Sequence, residues 1–110
     1  MTTTARRQSD IIDLRRPAGS CAANAATLVK ALAHEARMQI LCHLIEGEKS
    51  VGELESLLGL RQAAVSQQLA RLREQGLVTS RREGRARLYR ISDQRAHAVV
   101  SLVHQLYCVG

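Results

Sequence analysis

The chain has 110 residues, 45% of them hydrophobic, and carries 16 Lys and Arg against 10 Asp and Glu for a formal net charge of +6. One domain is the expectation at that length, no stretch approaches the roughly 20 apolar residues of a membrane span, and the basic, polar N-terminus lacks a secretory h-region. Cys21, Cys42 and Cys108 are odd in number and far apart, which is not the disulfide framework of a secreted protein, so a cytoplasmic location with free thiols is expected.

Residues 1–19 show no sustained apolar period and end at Pro17-Ala18-Gly19, a breaker cluster. They read as a flexible basic arm, with a short helix around Ile11–Arg16 as one option; residues 20–110 make up the folded domain. Ser20 reads as an N-cap, after which Ala25, Leu28, Val29 and Leu32 follow helical spacing. A second helix over about His34–Ile45 turns Met38, Leu41, Cys42 and Ile45 to one face. Val51–Leu58 is a short helix with Leu54, Leu57 and Leu58 inward and Gly59 as its C-cap. The next helix covers about Gln62–Gln75, with Val65, Leu69 and Leu72 inward and Ala63, Gln67, Ala70, Arg71 and Glu74 outward.

Leu77–Arg82 and Ala86–Ile91 read as strands joined through Glu83-Gly84-Arg85, where Gly84 supplies the positive φ of a tight hairpin. Asp93 caps a last helix whose apolar stripe is Val99, Leu102, Val103 and Leu106. The order α-α-α-α-β-β-α is mainly α with a β-hairpin wing, a winged helix-turn-helix. Its core lacks Phe and Trp and relies on Ala, Leu and Val, which suits closely packed helices. A domain this small leaves much apolar helix surface uncovered, which favours a homodimer.

Charge is concentrated where that fold would read DNA. Residues 61–95 hold nine Arg against Glu74, Glu83 and Asp93, a net of +6, while the rest of the chain is balanced at seven basic and seven acidic residues. Each phosphate met by Arg or Lys releases condensed counterions, so such clustering fits double-stranded DNA. The helix beginning at Gln62 is the one that enters a major groove. Its outward Gln67 has the amide that pairs with adenine edges, and Gln62, Ala63 and Ser66 flank it. Arg71 and Arg73, further along, fit phosphates, as do the hairpin residues Arg81, Arg82, Arg85, Arg87 and Arg90. No Cys-x-x-Cys pair and no Gly-rich loop between a strand and a helix is present, so an enzyme is not expected.

ALAHEARMQILCHL, SVGELESLLGL, AAVSQQLARLREQGLV and GRARLYRI resemble the ArsR family of small bacterial repressors over roughly residues 22–108. The resemblance implies a homodimer paired through its first and last helices and bound to an inverted-repeat operator. The chain departs from the family pattern at Arg61, where a capping Ser or Thr is frequent, at Gln68, often His, and at Glu35, often Pro. Two metal sites known in the family lack their ligands here. Ser50-Val51-Gly52 stands where one has a Cys-x-Cys pair, and Arg95, Leu106 and Val109 replace all but Asp93 of the other.

Ile40-Leu41-Cys42 and Leu106-Tyr107-Cys108 are similar to the paired thiol positions of the family's sulfide-responsive branch, the SqrR/BigR type. That resemblance implies that persulfides or polysulfides join Cys42 and Cys108 through a disulfide or polysulfide bridge and release the operator, with no cofactor. Taken alone, Cys42 also fits an apolar stripe as a small hydrophobe, and Cys21 matches no sensor position. The alternative inducer is a metal (Zn or Cu) or haem, held by His97, His104 and Cys108, which share a helical face, together with Cys42.

Overall fold

The computed structural model describes residues 18–108 and divides the chain into two units, residues 1–30 and 31–110. The expected arm and the short helix around Ile11–Arg16 lie outside the described residues, except that Ala18 and Gly19 are already helical. Helix α1 spans Ala18–Leu32. Ser20 is therefore inside the helix rather than its N-cap. Ala is the strongest helix former, and α1 is rich in it.

In the second unit, α2 (Glu35–Ile45) buries Ile40, Leu41 and Leu44 and leaves Met38 and Cys42 half-buried. Strand β1, only Lys49–Ser50, leads straight into α3 (Val51–Leu58). Ser50 caps that helix reciprocally: its hydroxyl accepts from the Glu53 N–H at 3.1 Å while the Ser50 N–H donates to Glu53 Oε1 at 2.8 Å. Leu54 is fully buried, but Leu57, expected inward, is 51% exposed. Gly59 ends α3 in the left-handed region at φ 68°, its N–H donating to the Glu55 carbonyl at 2.8 Å.

Helix α4 (Gln62–Glu74) turns Val65, Leu69 and Leu72 inward as its periodicity requires. β2 (Val78–Glu83) and β3 (Ala86–Ile91) form an antiparallel hairpin in register from Val78↔Ile91 to Glu83↔Ala86, so Gly84, at φ 62°, and Arg85 alone make the turn. β1 pairs with the other edge of β3, giving the sheet order β1-β3-β2. Two residues carry no period, so this third strand has no sequence signature; pairing to β3 defines it.

Helix α5 (Gln94–Tyr107) is capped by Asp93, whose Oδ1 accepts from the N–H groups of Arg95 and Ala96, both at 2.9 Å. Its inward face differs from the expected stripe. Ala96 and Val100 are buried and Val103 half-buried, while Leu102 and Leu106 are 56% and 66% exposed. Ala96 and Val100 are one turn apart and small, so α5 can approach α2 closely at that face. Leu102 lies two residues, about 200°, round from Val100 on a helix of about 3.6 residues per turn. Helix α5 thus carries two apolar stripes, one packed inside this chain and one presented outward. Among the described residues, no helix is long and apolar enough to cross a membrane.

Candidate nucleic-acid interface and thiol groove

Gln62, Ala63, Ser66, Gln67 and Arg71 all lie on the exposed side of α4, opposite the buried Val65, Leu69 and Leu72. Arg61 occupies the N-cap position but makes no side-chain cap hydrogen bond. The first-turn N–H groups are thus left without a side-chain partner and aim their partial positive charge outward, the arrangement that binds a phosphate. Gln68 is turned inward. Arg37 of α2 donates from Nε to Gln68 Oε1 at 2.8 Å and from Nη1 to the Ala31 carbonyl at 3.0 Å. Helix α4 is therefore pinned to α2 by a charge-assisted hydrogen bond as well as by apolar contact.

On the wing, Arg82, Arg85, Arg87 and Arg90 are exposed. Arg87 Nη1 donates to Ser80 Oγ at 3.1 Å on the opposing strand, which orders its stem along the hairpin. Arg81, expected to face DNA, is instead engaged by carboxylates. Its Nε and Nη2 donate to Glu48 Oε2 and Oε1 at 3.0 and 2.9 Å, with Glu83 Oε2 at 3.4 Å. The hydrogen bond from Arg81 holds the Glu48 carboxyl below its usual range. The fork is exposed, so its contribution to stability is small, but it takes one arginine away from the set expected to face phosphate.

A groove of about 520 Å³ opens between α2, the end of α3 and the end of α5, and both Cys42 and Cys108 line it. Cys42 is half-buried and Cys108, the C-cap of α5, is exposed. Burial pushes the Cys42 thiol up to about 11, helped by the neighbouring Cys108 thiol and by the Glu46 carboxylate. Glu46 is itself held between two histidines, with His104 Nε2 at 3.3 Å and His43 Nδ1 at 3.8 Å. The His104 hydrogen bond lowers the Glu46 carboxyl against the opposing effect of burial.

The four donors of the metal or haem alternative are not assembled. His97 lies off the groove, its Nδ1 3.3 Å from Ser101 Oγ, and His104 is engaged with Glu46. Among the described residues, no three His, Cys, Asp or Glu side chains are grouped to hold a metal ion. Cys21 is exposed on α1.

Residues 34–80 match the family described as bacterial regulatory protein, arsR family. The chain is 50% identical over 86 residues to the transcriptional activator HlyU of Vibrio cholerae, covering 78% of this chain and 80% of that one. The chain belongs to the ArsR family. It is 44% identical over 87 residues to the biofilm growth-associated repressor of Agrobacterium fabrum, covering 79% of this chain and 74% of the relative. The fold agrees: the structure of reduced HlyU from Vibrio cholerae superposes with a TM-score of 0.79 at 47% identity, covering 83% of this chain and 96% of that one. A homodimeric winged helix-turn-helix DNA-binding domain from Mycobacterium bovis gives 0.68 at 32% identity, over 84% and 88% of the two chains.

This ArsR-family protein is a DNA-binding transcriptional regulator, not an enzyme. Arg37, Glu46 and Glu48 are the residues of the candidate sites that sequence reasoning missed. Arg37 sits 31 positions from Gln68, so no local pattern links them. One clue was available: Gln68 is a single step from the inward-facing Leu69, so its amide needs a partner from another element.

Proposed function

We propose that this regulator binds an inverted-repeat operator as a homodimer and represses from it until reactive sulfur species bridge Cys42 and Cys108. The observation that carries the reading is that the two thiols line one groove as neighbours, on helices far apart in sequence. A bridge of sulfur atoms suits such a pair, because a simple disulfide demands a narrow range of Cα separations and a longer bridge spans more. The chemistry needs only the donor. A Cys108 thiolate attacks the terminal sulfur of a persulfide RSSH and expels the thiolate RS⁻, leaving Cys108–S–SH. The Cys42 thiolate then attacks the Cys108 sulfur and expels HS⁻, leaving the disulfide; a longer polysulfide donor leaves extra sulfur atoms between the two residues.

Relatives lend support in both directions. One is a repressor and another, HlyU, has a structure designated as its reduced form. Dimerisation is supported by the outward stripe of Leu102 and Leu106 on α5, by exposed Val29 on α1, and by the homodimeric Mycobacterium bovis neighbour. DNA contact is assigned to Gln62, Ala63, Ser66, Gln67 and Arg71 on α4 and to Arg82, Arg85 and Arg87 on the wing. The test is mass spectrometry of the chain after reaction with an organic persulfide, paired with operator affinity. A Cys42–Cys108 bridge together with loss of affinity is expected. Full release of operator from both Cys42→Ser and Cys108→Ser variants under persulfide refutes the bridge as the switch.

A further inference from the structure

We propose that the thiol groove is also a Cu(I) site, with the thiolates of Cys42 and Cys108 and the thioether of Met38 as its ligands. Met38 precedes Cys42 by one turn of α2, a spacing that puts the two Cβ atoms about 5–6 Å apart on one face. Both side chains line the groove, and Cys108 enters it from the end of α5 against Cys42. Three sulfur-bearing side chains from two helices thus line one groove.

The donor set selects the ion. Zinc is held by four ligands in its structural sites and by three plus water in catalytic ones, and no three His, Cys, Asp or Glu are grouped here among the described residues. A monovalent d¹⁰ ion is satisfied by two or three soft donors, and thiolate with thioether is the set that favours Cu(I). Leu57, Leu58 and Val103 give the groove an apolar wall, which offers no oxygen ligand to harder ions. Glu35 and Glu46 at the same groove supply negative charge, which favours an entering cation. Binding converts Cu⁺ and two thiols into a bis-thiolate complex and releases two protons, with no change of oxidation state. Occupancy uses the same thiols as the sulfur bridge, so a copper-loaded chain is closed to persulfide.

The full chain is titrated anaerobically with Cu(I) in competition with a chromogenic Cu(I) chelator. One ion per chain is expected, with affinity rising as pH rises because protons leave on binding. Cys42→Ser and Cys108→Ser are each expected to weaken binding by more than about a hundredfold and Met38→Leu by about tenfold, with Cys21→Ser unchanged. Circular dichroism checks each fold, and Cys42→Ala, which adds no polar atom, stands in if Cys42→Ser does not fold. Wild-type affinity in either Cys42 or Cys108 variant, or loss of binding in Cys21→Ser, overturns the site; wild-type affinity in Met38→Leu overturns the three-sulfur assignment. The copper site and the sulfur switch fail separately. Cu(I) binding by a chain that persulfide does not bridge removes only the switch, and bridging without Cu(I) binding removes only the metal site.

Discussion

Cys42 should be the reluctant member of the thiol pair, and its reluctance can be measured. Its thiol is pushed from an ordinary 9.0 up to about 11, first by burial, then by the neighbouring Cys108 thiol and the Glu46 carboxylate. At pH 8 a thiol of ordinary acidity is about one-tenth thiolate and Cys42 about one-thousandth, about a hundredfold deficit in the reactive form. A more basic thiolate is the better nucleophile, and a Brønsted slope of about 0.4–0.5 over two units returns about six- to tenfold. The net deficit is therefore about 10- to 16-fold before any steric protection. Initial rates of alkylation by iodoacetamide, resolved at the Cys42 peptide by mass spectrometry, test this in the folded chain and in urea. Cys42 should react at least about tenfold more slowly when folded, and its rate should climb about tenfold per pH unit without a plateau below about pH 11. A plateau near pH 9 refutes the reasoning, because steric shielding lowers a rate but does not move its pH midpoint. Linkage has the same sign. A group whose folded value is raised stabilises the fold fully below its unfolded value, so stability should fall as pH rises from about 9 to about 11.

Arg37→Met should cost about 1.5–3 kcal/mol in urea unfolding, as for a hydrogen bond to a charged group, and Gln68→Ala added to it should cost little more; operator binding by Arg37→Met should keep its salt slope, and a drop of one unit would make Arg37 a phosphate contact. Arg82→Ala, Arg85→Ala and Arg87→Ala should each lower the slope of log affinity against log salt by about one, whereas Arg81→Ala, whose guanidinium is engaged by Glu48, should leave it unchanged. Gly59→Ala should destabilise by about 1–2 kcal/mol, since a left-handed conformation is unfavourable for any residue with a Cβ; no clash contributes, because nothing lies within 4 Å of the added Cβ. Leu102→Glu should leave the monomer folded, because the side chain is already 56% exposed, and should abolish dimers in sedimentation equilibrium; a dimer of unchanged affinity would remove α5 from the proposed interface.

Elements with a long apolar period were readable from sequence, and so were their stops. Gly59 and Gly84 adopt the positive φ that their positions between patterned segments required, and Asp93 caps α5. What escaped was whatever depends on partners distant in sequence. β1 exists only because Lys49 pairs with Tyr89 and Ser50 with Leu88. The inward face of α5 was misjudged because hydrophobicity counts favour Leu102 and Leu106 over Ala96, although close packing on α2 favours the small residue. Arg81 looked like its neighbours on the wing until Glu48, from the loop ahead of β1, was seen to occupy it. Cys42 and Cys108 could be named as a pair only by resemblance. Their contact, and the Glu46 and histidine setting around them, come from the packing of α5 on α2.

In the proposed switch, the two helices joined by the bridge do not yield equally. Cys42 sits in the middle of α2 beside Ile40, Leu41 and Leu44, which are at most 4% exposed, so moving its backbone would disturb a close-packed core. The same helix is tied to α4 through Arg37 and Gln68. Cys108 is the exposed C-cap of α5, its N–H donating to the His104 carbonyl at 2.8 Å. Joining the two neighbouring thiols by a covalent bridge therefore draws the end of α5 toward α2 and leaves α2 and α4 where they are. The outward stripe of Leu102 and Leu106 rides on the part of α5 that moves. The bridge thus acts on how two copies pair, and so on the separation of their reading helices, before it acts on either reading helix alone. On this account a bridged monomer keeps its weak, salt-dependent affinity for non-specific DNA and loses only the fit of the dimer to an inverted repeat.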